Sequence, residues 1–299
     1  MFIIKNKKIF IVVSMVLVLF SVIVIFVFPP SIGIDFKGGA LTEVLYNETR
    51  PTQSDLEAKL KEINFGSILI QPTGERGYIV KSEDLSEIKH SELLQVLSQN
   101  GASPLEEKGF NSIGPSVGRE LTRKALISIV LVSIAIILFI AFALRKVSKP
   151  VSSWKYGVVA VIALLHDVII PSGIFALLSK YYGAEIDTLF VVALLTILGL
   201  SVSDTIVIFD RIRENLKNKV GNTFNETVGQ SLDQSYIRSI FTSVTVIIVL
   251  LALFFFGPES TKYFALMLTA GMFFGTYSSI FLASPFLVLL EEKQNKVKK

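Results

Sequence analysis

The sequence predicts an α-helical membrane protein with six transmembrane helices and one folded α+β domain between the first and the second. Two observations carry this. The chain is 51% hydrophobic and 18% charged, whereas soluble domains carry about a quarter charged residues. Its apolar residues are also gathered into long runs instead of recurring at helical or strand spacing, which points to lipid as the solvent.

Six runs can cross about 30 Å of hydrocarbon at about 1.5 Å per residue. They extend approximately from Ile9 to Phe28, Ala125 to Leu144, Tyr156 to Leu178, Thr188 to Phe209, Ser239 to Phe256 and Tyr263 to Leu290. The last is long enough to tilt or to leave the membrane before its end. The first follows Lys5, Lys7 and Lys8. Its apolar run exceeds a signal-peptide core, and no small-residue cleavage pattern precedes Pro29 and Pro30, so it reads as an uncleaved anchor.

Orientation follows from the basic residues. Lys5, Lys7 and Lys8 precede the first span. Arg145, Lys146, Lys149 and Lys155 separate the second from the third. Arg211, Arg213, Lys217 and Lys219 follow the fourth, and Lys293, Lys296, Lys298 and Lys299 close the chain. The alternate short loops hold only Lys180 and Lys262. The basic segments fall on one side, so both termini are expected in the cytoplasm. The expected division is residues 1–30 for the amino terminus and first span, 31–120 for an extracytoplasmic domain, 121–290 for a five-helix bundle and 291–299 for a cytoplasmic tail. The formal charge of +4 is absorbed by this topology and does not call for nucleic acid.

The outer segment reads as a small mixed domain. Leu41 to Tyr46 alternates as a strand. Thr52 opens a helix to about Ile63, with Leu56, Leu60 and Ile63 on one face. Ser67 to Gln71 reads as a strand, Pro72 to Gly77 as a turn and Tyr78 to Lys81 as a second strand. Ser86 to Leu97 is a helix with Ile88, Leu93, Leu94 and Leu97 apolar, and Pro104 to Asn111 supplies the last strand. The order βαββαβ is that of the ferredoxin-like, split βαβ arrangement.

The absence of cysteine excludes disulfides and thiolate metal sites. With two histidines, His90 and His166, no metal site is expected. No phosphate-binding glycine loop or nucleophile elbow is present, so the chain reads as a non-enzyme without a cofactor.

Charged residues inside the spans draw the most interest, because they are costly in lipid and usually face protein or water. His166-Asp167 lies near mid-membrane in the third span. It is either a packing pair or a functional one. Asp204 lies inside the apolar run of the fourth, about 9 Å along the axis from Asp210. Asp210 sits beside Arg211 and Arg213 at the interface, where solvated pairing explains it. On the fifth segment Ser231, Gln234, Arg238, Thr242 and Thr245 recur every three or four residues. They make one polar face, expected to point inward. Asp204 and Arg238 lie at similar depth, so an ion pair between them is expected, with snorkelling of Arg238 as the alternative. Gly271, Gly275, Ser279 and Ala283 make a small-residue stripe on the sixth span, read as packing. Gly33-Ile34-Asp35-Phe36-Lys37-Gly38-Gly39, after the first span, reads as a turn opening a strand.

These motifs together resemble the SecF members of the SecD/SecF family of protein-export membrane proteins, within the resistance-nodulation-division superfamily. The resemblance runs in order through Gly33 to Gly39, His166-Asp167, Leu195 to Asn215 and Asn225 to Ser243. It ends with Gly275-Thr276-Tyr277-Ser278-Ser279-Ile280 and Ala283-Ser284-Pro285. Leu200 and Ser203 stand where the family usually has tyrosine and asparagine. The resemblance implies a partner, SecD, with a related six-span bundle. It also implies the SecYEG channel and translocating unfolded preprotein as further partners, and a proton or sodium gradient as energy source. It assigns ion coupling to Asp204 and Arg238, with His166 and Asp167 beside them. It makes Gly33, Asp35, Phe36, Gly38, Gly39, Asp210 and Arg211 family-motif positions. The rival reading is half of an ion-coupled small-molecule exporter; a third is a passive assembly scaffold.

Overall fold

The computed structural model describes residues 2–63, 65–66, 68–143 and 152–297. The expected end of the second span at Leu144, the strand start at Ser67, and Arg145, Lys146, Lys149, Lys298 and Lys299 lie outside the described residues. The chain divides into two compact units: residues 32–126, and residues 1–31 with 127–299.

In the unit 32–126 the elements follow the order expected from the sequence. They are α1 (Ile34–Lys37), β1 (Gly39–Tyr46), α2 (Gln53–Glu62), β2 (Leu69–Thr73), β3 (Gly77–Ser82), α3 (Glu87–Leu97) and β4 (Leu105–Ile113). The strands form an antiparallel sheet in the order β2-β3-β1-β4. Thr52 and Ser86 cap α2 and α3, their hydroxyls accepting from the amides of Asp55 and Lys89. Period-two alternation buries Ala40, Thr42, Val44 and Tyr46 on one face of β1. Leu56, Leu60, Leu93 and Leu97 pack with Ala40, Val44, Ile70, Tyr78 and Val80. The Tyr46 hydroxyl donates to the carbonyl of Leu97 at 2.9 Å. Burial, with Tyr78 nearby, pushes its pKa up to about 12.

Three details differ from expectation. Ile63 is 41% exposed and Ile88 82% exposed. Ile63 lies beyond the last turn of α2, and Ile88 sits about 140° around α3 from Leu93. Pro72 belongs to β2, not to the turn. β2 is an edge strand, where a residue with no N–H is tolerated.

The glycine-rich motif is a joint. Gly38 and Gly39 have φ of +81° and +138°. A Cβ on Gly38 would come within 2.9 Å of Pro115 Cα, and one on Gly118 within 2.9 Å of Phe36 O. The expected turn is thus a one-turn helix carrying Asp35 and Phe36, set against the start of the helix that opens at Pro115.

Among the described residues six helices are long and apolar enough to cross a membrane. They are Lys7–Val27, Pro115–Ala143, Ser153–Tyr182, Thr188–Lys217, Phe224–Phe256 and, as the sixth, Lys262–Ser278 continued through Ser279–Ala283 into Ser284–Val297. Lys7 pairs with Glu292 at 2.6 Å, Lys155 bonds Gln294, and Asn225 bonds Glu292 at 3.0 Å. The starts of the first, third and fifth spans therefore meet the end of the sixth, so the described parts of both chain ends share one side of the bundle. Small residues set the closest contacts: a Cβ on Gly173 would meet Ser21 Cβ at 2.6 Å, and one on Gly271 would meet Ile197 Cγ1 at 2.2 Å. The stripe on the sixth span is packing, as expected.

Candidate functional site

Backbone irregularity marks the site. Pro171 lies inside the third span and has no N–H for the carbonyl four residues back, that of Asp167. On the sixth span Ser279–Ala283 takes π geometry and ends two residues before Pro285, which likewise offers no donor. In the same stretch Ser284 Oγ donates to Ser279 O at 3.1 Å. A π turn adds a residue to the helix turn and recurs at functional sites. Here it follows directly on Ser278 and includes Ser279, adjacent residues whose hydroxyls reach Asp167 of the third span and Thr205 of the fourth respectively.

Asp167 is wholly buried. Its Oδ1 lies 2.8 Å from Nδ1 of His166. Its Oδ2 accepts from Ser278 Oγ at 2.7 Å and from Ser201 Oγ. The carboxylate is therefore held from the third, fourth and sixth spans at once. Thr205 and Ser279 join hydroxyls at 2.8 Å one turn further along. A fully buried carboxylate requires this degree of satisfaction.

Asp204 is placed differently. It is half-buried, and Thr276 Oγ1 donates to its Oδ2 at 3.2 Å. Thr276 in turn bonds Ser243 of the fifth span. Ser239 lies beside the same carboxylate, but its Oγ makes no hydrogen bond of ordinary geometry. Among the described residues no cation stands within ion-pair distance of Asp204.

The expected Asp204–Arg238 pair is therefore absent within this chain. The reason is helical phase. The buried stripe of the fifth span is Ser231, Ser235, Ser239 and Ser243. Arg238 precedes Ser239 and points about 100° away from it. Gln234, Arg238, Thr242 and Thr245, expected to face inward, form an exposed face. Thr242 and Thr245 turn their hydroxyls back to the carbonyls of Arg238 and Phe241, and Gln234 accepts from Asn215 at 2.9 Å. Asp210 pairs with Arg213 at 2.6 Å and Arg211 with Glu214 at 2.9 Å, the carboxylates exposed and the arginines partly so, as interfacial charges should be.

The structure thus brings His166, Asp167 and Asp204 into one polar region and leaves Arg238 on an open face. It adds Ser201, Thr205, Ser243, Thr276 and Ser278, which residue-type reasoning passed over. All five lie in the segments that resemble the family, but residue type alone shows only hydroxyls within apolar runs, and many such hydroxyls bond their own helix.

A model of the "Protein export membrane protein SecD/SecF, C-terminal" family matches residues 94–293. The chain belongs to the SecD/SecF family. The match takes in Asp167, Asp204 and Arg238, but not the Gly33–Gly39 joint. Relatives named protein translocase subunit SecF include one from Thermobaculum terrenum, 41% identical over 97% of this chain and 94% of that protein. Another, from Helicobacter pylori, is 31% identical over 97% and 89%. Among solved structures, the crystal structure of SecDF, a translocon-associated membrane protein from Thermus, superposes with a TM-score of 0.82. It is 30% identical and covers 97% of this chain. SecDF in a super-membrane-facing form gives 0.70. This chain spans 38% and 39% of those two SecDF chains.

Proposed function

We propose that this chain is the SecF subunit of a SecDF complex that draws on the proton or sodium gradient to assist protein export through the SecYEG channel. In this reading it sits in the cytoplasmic membrane with both termini in the cytoplasm and residues 31–120 outside. The spans form the bundle 121–290 with the first helix, and 291–299 is the cytoplasmic tail.

One observation carries the reading. Asp204 is a half-buried intramembrane carboxylate with no cation in reach among the described residues, and at its level the next helix presents Arg238 on an open polar face. Such a face is costly against lipid. A second bundle packed on the fourth and fifth spans would cover it, and SecD is the companion that the family and the longer SecDF chains suggest. A carboxylate at such a boundary can be reached by ions and can change charge as the two bundles move.

The test uses membrane vesicles from cells lacking the chain. A reporter preprotein should be exported with ATP alone but gain nothing from an imposed gradient. Returning the chain should restore the gain. Equal gradient stimulation with and without the chain would overturn the proposal.

A further inference from the structure

Five buried polar atoms of the bundle have no partner among the described residues, and three of them are Ser14 Oγ of the first span, His166 Nε2 of the third and Tyr277 OH of the sixth. These three belong to one place. The rings of His166 and Tyr277 stack at 6.0 Å with 17° between planes. Tyr277 stacks on Phe281 at 5.1 Å, and Phe281 on Phe10 at 4.8 Å. The first and sixth spans run antiparallel, since Lys7 meets Glu292 and Phe10 meets Phe281. One turn on from Phe10 is Ser14, and one turn back from Phe281 is Tyr277, so both stand at the same depth.

Buried donors and acceptors are almost always satisfied, by protein or by water. His166 Nδ1 is committed to Asp167. Whichever ring nitrogen holds the proton, Nε2 needs a partner as donor or as acceptor. The Tyr277 hydroxyl does not supply it, although the two rings are neighbours. A water has the size and the two-way capacity to join them, and two or more polar partners are what a buried water requires.

We propose that a water molecule is bound between His166 Nε2 and Tyr277 OH, with Ser14 as a third partner. It extends the hydrogen-bonded chain from Asp167 through His166 toward the first span. This is a second polar branch, on the opposite side of Asp167 from Ser201 and the fourth span. It deepens the ion-coupling reading without resting on Asp204, and its test does not use export.

The chain has only two histidines, so [15N]histidine labelling with His90→Gln leaves one labelled ring. The full chain, reconstituted in phospholipid bilayers, is examined by magic-angle-spinning NMR. Nε2 of His166 should correlate with water protons. Tyr277→Phe keeps the stacked ring and removes the hydroxyl, and should abolish that correlation or displace the Nε2 signal. An unchanged Nδ1 signal shows that the Asp167 pair is intact. If that signal moves, Ser14→Ala is read in the same way. A dry Nε2 in the unsubstituted chain overturns the proposal, as does a water correlation indifferent to both substitutions.

Discussion

Ser278 Oγ of the sixth span donates a 2.7 Å hydrogen bond to Asp167 Oδ2 of the third. The bond ties the residue just before the π turn to a carboxylate with no exposure. Hydrogen bonds to buried charged groups are the strong ones, about 1.5–3 kcal/mol each. Ser278→Ala should therefore lower stability by about 1–3 kcal/mol, read as a fall in the melting temperature of the detergent-solubilised chain. Ser279→Ala removes a hydroxyl-to-hydroxyl bond with Thr205 instead and should cost less. Equal effects would show that the carboxylate does not depend on Ser278.

Gly271 and Ile197 set how close the fourth and sixth spans come. An added Cβ would stand 2.2 Å from Ile197 Cγ1, closer than any real contact. Gly271→Ala should destabilise the bundle by about 1–3 kcal/mol through overpacking. Ile197→Ala opens the facing space, so the double variant should recover part of the loss. Simple additivity of the two losses would contradict direct contact.

Much of this architecture is legible from residue pattern, because long apolar runs and period-two alternation are local signals. Capping by Thr52 and Ser86 fell within a residue of the expected helix starts for the same reason. What was not legible is rotational phase. The fifth span carries two polar stripes side by side, one of serines and one containing Arg238. Composition favours burying the more polar stripe, yet the serines are buried, since each can bond its own helix, as Ser231 and Ser235 do. Arg238 needs a partner that the described residues do not provide. The hydroxyls around Asp167 were hidden likewise: Ser201, Ser278 and Asp167 are far apart in sequence and converge only once a π turn and close glycine contacts are in place.

Tyr46 gives the unit 32–126 a pH dependence. Its folded-state pKa, about 12, is raised above the ordinary 10.0 by burial. The unfolded chain therefore loses this proton first, and the contribution from Tyr46 is complete below about pH 10. It is lost as pH rises from there toward 12. Protease cleavage within 32–126 of the full chain should accelerate across that window. Tyr46→Phe should flatten that part of the profile while costing about 1 kcal/mol from the lost bond to Leu97. A profile unchanged by Tyr46→Phe would assign the alkaline loss to other groups.

The central claim is that Asp204 couples an ion gradient to export. Asp204→Asn preserves shape and the bond from Thr276 but cannot titrate. The measurement is export of a reporter preprotein into vesicles, with and without an imposed proton or sodium gradient. The account predicts that Asp204→Asn assembles and keeps ATP-driven export while its gradient-dependent gain disappears, and that Arg238→Met does the same. A full gradient-dependent gain in Asp204→Asn would contradict it and leave the chain a scaffold.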